Sequence, residues 1–241
     1  HRSSGISAMV YPKLREYLGL PVVPVKVYDP IQQLAVPDED ILDMFSVDTI
    51  ELGRAFALDE QDWHPWELPD GRECLLPYWV RPVREEGRWI IYSHTGRRIA
   101  QMPDGASFFE QLWYPMYERE GKGEHEGARG LASSMAYAPT WKETDIRMAM
   151  KESMWHVVAS PPGPMADGEA GLQRLEKEAS RLRKRTDRCI IGLFGGNLLE
   201  TGQMLFRNDE FLMKLAMDPD GVHAFLDRLT EIHLKDLERY L

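Results

Sequence analysis

Residues 187–241, DRCIIGLFGGNLLETGQMLFRNDEFLMKLAMDPDGVHAFLDRLTEIHLKDLERYL, carry the reading on which the fold turns. Cys189 to Phe194 is an unbroken apolar run rich in isoleucine, the pattern of a strand buried on both faces in a parallel sheet. Gly195 and Gly196 follow, where backbone can approach a ligand closely, and then a polar set of Asn197, Glu200, Thr201 and Gln203. In open and closed α/β sheets ligands bind at this C-terminal edge of the strands. Two helices are predicted next. The first spans Asn208–Met217, capped by Asn208 or Asp209, and the second starts at Asp218 with Pro219 in its first turn. In the second, Val222, Phe225, Leu226, Leu229, Ile232, Leu237 and Tyr240 recur at helical spacing, with Asp227, Glu231, Lys235 and Glu238 facing away.

Working outward, the apolar strand, GLFGGNLLETGQ and the helix opened by DPDGVHAFLDRL together resemble the uroporphyrinogen decarboxylase superfamily. These are (β/α)8 TIM barrels that also include zinc-dependent corrinoid methyltransferases. The early chain extends the resemblance: SGISAMVYPKLREYLGLP and VYDPIQQLAVPDEDILDMFSVDTIELG look like the opening of the methyltransferase-like branch. The chain is therefore expected to be α/β, a single barrel domain over 1–241.

The element pattern predicts a helix over Ile6–Leu18 closed by Gly19 and Pro21. Two short helical turns broken by Pro37 follow, with a helix start near Asp38, then a strand Val47–Leu52 ending at Gly53 and Arg54. Residues 74–102 hold three β-rich runs punctuated by EEG and HTG, an antiparallel insertion beside the barrel. Ser107 to Glu110 has a capping-box pattern for a short helix ended by Pro115. Helices are expected over Glu143–Val158 and Glu169–Thr186, and loops over Gly121–Gly130 and from Ser160. A complete barrel needs eight strands in about 250 residues. With about two complete parallel strands on this count, the barrel is expected to be incomplete here, the chain being an N-terminal portion of a longer one.

Composition narrows the function classes. The chain has 241 residues, 43% of them hydrophobic, and a formal net charge of -10. With no basic stretch to meet phosphates, it offers no nucleic-acid footprint. The run Arg181 to Arg188 lies over Leu175, Ala179 and Leu182 and reads as a solvated helix face. Cys74 and Cys189 belong to no CxxC pair or disulfide framework, which predicts a reducing compartment. No run of about 18 apolar residues and no signal-peptide pattern occurs, so no membrane contact and a cytoplasmic location are expected.

The resemblance also assigns residues. The decarboxylases bind substrate carboxylates through the two arginines of an Arg-Gln-Ala-Gly-Arg motif. Here that stretch reads Arg2-Ser3-Ser4-Gly5-Ile6, keeping the first arginine and the glycine. The family's Phe-Ser-Asp triplet, whose aspartate holds pyrrole nitrogens, falls on Gly53, Arg54 and Ala55. Without the second arginine and that aspartate, a tetra-carboxylate porphyrinogen is poorly held. Methyl transfer between a small methylated substrate and a corrinoid protein or thiol is the activity the resemblance implies. His1, Arg2, Ser3 and Ser4 are the expected substrate-binding residues, with Arg54, Asn197 and Glu200 at the rim. Zinc and a corrinoid (cobalamin) are implied with it. The chain has no His-x-Cys, so no metal ligand is assigned within it and its catalytic residues stay open. A homodimer is compatible with the family. Two alternatives stay open: a carboxy-lyase acting on a less carboxylated tetrapyrrole, and a non-catalytic corrinoid- or tetrapyrrole-binding barrel.

Other candidates read as structure. Glu124-His125-Glu126 sits in a Gly-rich turn without ligand spacing, and His64, His94, His156, His223 and His233 are isolated. The seven tryptophans could line a pocket for a methoxylated aromatic or a corrin face, and core packing explains them equally well. Met148, Met150 and Met154 read as packing. Gly192 to Gly196 lacks the GxGxxG spacing of a dinucleotide site.

Overall fold

A computed structural model describes residues 5–53, 58–117, 141–158 and 168–241. It is a mixed α/β protein divided into two compact units. The first comprises His1–Ile91, Gln101–Glu110 and Val157–Gly195; the second comprises Tyr92–Ala100, Gln111–His156 and Gly196–Leu241.

In the first unit, a four-stranded sheet is ordered β2-β1-β5-β4, from Leu34–Ala35 (β2), Val25–Asp29 (β1), Glu73–Pro77 (β5) and Trp63–Glu67 (β4). β1 runs parallel to β5 with Val25 opposite Cys74, and antiparallel to β2; β4 is antiparallel to β5. The buried residues of β1 (Val25, Val27, Asp29) alternate with half-buried ones, as a strand with one covered face requires. Of the two helical turns expected on either side of Pro37, the first is corrected and the second is present: β1 and β2 occupy the stretch before the proline. Residues 30–33 form a turn, and the backbone of Ile6 and Ala8 pairs with Ala35 and Gln33. The first helix is consequently shorter than expected, Tyr11–Tyr17 (α1), beginning where Pro12 can occupy the first turn without removing a helical hydrogen bond. The second helix, Glu39–Met44 (α2), starts at Asp38 as expected.

Thr49–Leu52 (β3) and Cys189–Gly192 (β10) form a separate two-stranded parallel sheet, with Thr49 opposite Cys189 and Leu52 opposite Gly192. β10 stops two residues short of the predicted Phe194. It is also largely exposed, Cys189 included, and not buried on both faces. The reason is local: among the described residues β3 is its one strand neighbour.

The helix Gly168–Arg185 (α4) buries Leu175 and Leu182 on this unit, matching the expected stripe. The arginines of α4, and Arg188 just beyond it, are not simply solvated. Arg174 pairs with Asp62 at 2.7 Å, Arg181 with Asp59 and Glu178, Arg185 with Glu39 at 3.4 Å and Arg188 with Asp43. The basic run is an electrostatic seam onto Asp59, Glu39 and Asp43, which lie far away in sequence, with Glu178 one turn back on the same helix.

A further sheet has the order β6-β7-β8-β9, from Val83–Glu85, Arg88–Tyr92, Arg98–Pro103 and Glu110–Gln111. The EEG turn joins β6 and β7 as an antiparallel hairpin in the register Glu85 to Arg88. The expected hairpin and third strand are thus present over 83–103, while residues 73–77 belong to the first sheet instead. Glu110 lies in β9, not in the helix predicted from the capping-box pattern. Its carboxylate accepts from Gln101 at 2.6 Å, Gln101 accepts from Arg88 at 3.0 Å, and buried Phe109 packs 6.4 Å from Trp66.

The second unit packs helices. Glu143–Lys151 (α3) is followed by a 3-10 turn over Met154–Val158, which shortens the predicted helix. Leu199–Phe206 (α5), Asn208–Met217 (α6) and Pro219–Tyr240 (α7) complete it. Its core joins Ile146, Leu205, Phe206, Phe211, Phe225 and Leu229, with Trp141 set edge-on to Phe206 and Phe225. α7 begins as predicted: Asp218 accepts from the Gly221 amide at 3.1 Å, and Pro219 stands in the first turn. The cap of α6 is corrected. Its N-cap is Arg207 at φ 72°, and the Asn208 side chain instead accepts from Gln203 at 2.7 Å.

Candidate functional site

The pairing of β3 with β10 sets two C-terminal strand ends side by side, Leu52 and Gly192, each leading into a segment expected to bind substrate. After β3 that segment contains Arg54; after β10 it contains Asn197 and Glu200. His1, Arg2, Ser3, Ser4 and Arg54 lie outside the described residues, as does Glu124-His125-Glu126.

Beyond β10 the chain turns through Gly195 (φ 94°) and Gly196 (φ 75°), the left-handed region that glycine enters without a Cβ penalty. Asn197 is half-buried. Its carbonyl accepts from the Thr201 hydroxyl at 2.5 Å and meets His233 Nε2 at 3.3 Å. Leu198 then caps α5 without a side-chain hydrogen bond, and Glu200 stands exposed in the first turn. Asn197 and Glu200 are therefore on one connected stretch, while Thr201 is buried and Gln203 is committed to Asn208. His233 is half-buried; desolvation by burial holds its pKa below the ordinary imidazole value, against the pull of the Asn197 carbonyl and Asp236.

Two charged clusters were not singled out from sequence. In the first unit, buried Arg15 grips Asp40 with both terminal nitrogens at 2.7 and 2.8 Å, reaches Asp38 at 3.0 Å, and donates Nε–H to the Pro21 carbonyl. The Tyr11 hydroxyl donates to Asp38 at 2.7 Å and accepts from the Asp38 amide. Burial pushes the Tyr11 phenol up to about 12, so it stays protonated near neutral pH. With its donors occupied by the fold, this cluster joins α1 to the start of α2. In the second unit, Glu143 accepts from Lys235 at 2.7 Å and Arg147 at 2.9 Å, and Arg147 forks onto Asp236 at 2.7 and 2.8 Å. The hydrogen bonds from Lys235 and Arg147 hold the Glu143 carboxyl at about 2.

The described residues do not fit zinc. No group of three or more His, Cys, Asp or Glu among them could hold a metal ion. Cys74 is buried and its thiol is pushed up to about 12, the reverse of what a thiolate ligand requires, and Cys189 is exposed. His64 is engaged by the Val80 carbonyl at 2.7 Å, and His94 by Glu152 at 3.0 Å. The tryptophans mostly pack: Trp66 meets Trp89 at 5.6 Å, and Trp113 lies under the Arg97 guanidinium. Met154 is buried, whereas Met148 is exposed.

In comparison with known proteins, no family model, no curated protein and no solved structure matches the chain.

Proposed function

We propose that the chain is an incomplete uroporphyrinogen decarboxylase-like (β/α)8 barrel of the methyltransferase branch, moving a methyl group between a small methylated substrate and a corrinoid protein or thiol. The observation that supports it is the parallel pairing of Thr49–Leu52 with Cys189–Gly192, segments remote in sequence whose C-terminal ends stand together. Strand ends of this kind are where α/β folds bind small molecules. The residue carry-over from the family motifs supplies the chemistry.

In this reading Arg2 forks onto an anionic or carbonyl group of the substrate, with His1, Ser3 and Ser4 beside it in sequence. Arg54 follows one strand end, and Asn197 and Glu200 follow the other. Asn197 offers both a donor and an acceptor, which suits a neutral methylated oxygen or nitrogen group. The methyl group leaves its heteroatom without the bonding electron pair and is taken by the nucleophilic acceptor. When bound, a corrinoid supplies that nucleophile, and the resemblance places it on a partner protein. Zinc, whose ligands the described residues do not provide, carries no step here. Ile6 and Ala55, in place of the decarboxylases' second arginine and aspartate, weigh against tetrapyrrole decarboxylation.

The test is steady-state kinetics of the protein translated from its full reading frame. Arg2→Ala and Asn197→Ala each raise KM about tenfold or more, the loss of a forked contact in the first and of at least one hydrogen bond in the second. Unchanged KM values in both variants would remove these residues from the site.

A further inference from the structure

We infer that His233 is a positioning residue for the segment that presents Asn197; the inference rests on the proposed function, in which Asn197 touches substrate. His233 lies on α7, more than thirty residues from Asn197, and its Nε2 stands 3.3 Å from the Asn197 carbonyl oxygen. A carbonyl can only accept, so Nε2 carries the hydrogen and Nδ1 the lone pair in the neutral ring. Thr201 donates to the same oxygen at 2.5 Å, so two donors converge on one carbonyl.

The two donors differ in what they restrain. Thr201 belongs to the helix that Asn197 introduces and moves with it. His233 belongs to another helix, next to Ile232, which is fully buried in the core. Through His233 the position of Asn197 is referred to the packed core of the second unit. The segment needs such a reference because Gly196, immediately before Asn197, is in a left-handed conformation with no side chain to restrain it. Leu198 adds no side-chain cap. A hydrogen bond from a half-buried ring on a core helix is worth most where the backbone is otherwise least determined.

The experiment compares His233→Leu and His233→Gln in the protein translated from its full reading frame. It reads hydrogen exchange of the amides over residues 196–202 together with kcat and KM for the methylated donor. Leucine keeps the bulk and removes the donor, whereas the glutamine amide nitrogen restores a donor at similar reach. The expected result for His233→Leu is faster exchange in that segment and KM raised about tenfold with kcat little changed. His233→Gln restores both. If His233→Leu fails to fold, His233→Asn, whose shorter amide falls short of the carbonyl, takes its place with the same expectation. Wild-type exchange and KM in the donor-less variant, or a glutamine variant as impaired as the leucine one, overturns the inference. Absence of methyl transfer by the wild type defeats the functional reading itself and withdraws the positioning role, whatever exchange reports about the anchor.

Discussion

Gly202 on α5 lies directly against the ring of Phe211 on α6: a Cβ built at Gly202 would stand 2.2 Å from Phe211 Cζ. The short turn between the two helices depends on this approach. Phe211 is fully buried among Phe206, Phe225 and the rest of the second unit's core, so the ring has nowhere to retreat. Gly202→Ala should lower stability by about 2 kcal/mol or more through overpacking. Thermal unfolding measures it, and a smaller loss in the Gly202→Ala, Phe211→Leu double variant than the two single losses summed would assign the effect to this contact. A Gly202→Ala protein that melts with the wild type contradicts the packing described.

Arg15 has a different vulnerability. Its guanidinium is buried while the carboxylates of Asp38 and Asp40 are partly exposed, so Arg15→Met leaves carboxylates that water can still reach. The expected loss is about 1–3 kcal/mol, below that of a wholly buried pair. Tyr11→Phe, which removes only the hydroxyl between Asp38 and its amide, should cost about 1 kcal/mol. Urea unfolding of both variants checks the order, and equal losses would mean that the guanidinium adds nothing beyond the hydroxyl.

These two contacts also mark where sequence reading succeeded and failed. The helical stripe Val222, Phe225, Leu229 and Ile232 was legible because one helix carries its own periodicity, and Asp218-Pro219 fixed its start. β3 was legible to within two residues. β1 was not. Its valines alternate over only five residues beside two prolines, and what stabilises it is pairing with β2 and β5, a long-range event that local pattern does not report. Ser107 to Glu110 failed for the converse reason: its capping-box pattern is outcompeted by the burial of Phe109 and the cross-strand bond of Glu110 to Gln101. Of the candidate site, Asn197 and Glu200 were visible as polar residues after an apolar strand. His233 was not, because no spacing links an isolated histidine to a backbone carbonyl on another element.

The two cysteines should separate sharply in reactivity. Cys189 is exposed on β10, whereas Cys74 is buried and desolvation holds its thiol at about 12. Titration of the folded protein with a thiol reagent at mildly alkaline pH should label Cys189 alone, and denaturation should release the second equivalent. Rapid labelling of Cys74 in the folded protein would contradict the pairing of β5 between β1 and β4.

Acid stability should reflect Glu143. Its folded pKa is depressed from 4.5 to about 2 by Lys235 and Arg147, so its contribution is fully present above the unfolded value. That contribution is lost as pH falls from about 4.5 towards about 2, when the carboxylate is protonated. Because these partners are partly exposed, added salt should weaken it. The urea midpoint followed through this window should fall less steeply for Glu143→Gln than for the wild type. Parallel curves would mean that the pair contributes no acid sensitivity.

The most direct test of the functional account is transfer of an isotopically labelled methyl group from a methylated small molecule, with reduced corrinoid and a thiol offered as acceptors to the protein translated from its full reading frame. The account predicts label in one acceptor, with one equivalent of demethylated donor formed per methyl group moved. Absence of label from both acceptors, with carbon dioxide released from a carboxylated tetrapyrrole by the same preparation, would contradict methyl transfer and assign the site to decarboxylation.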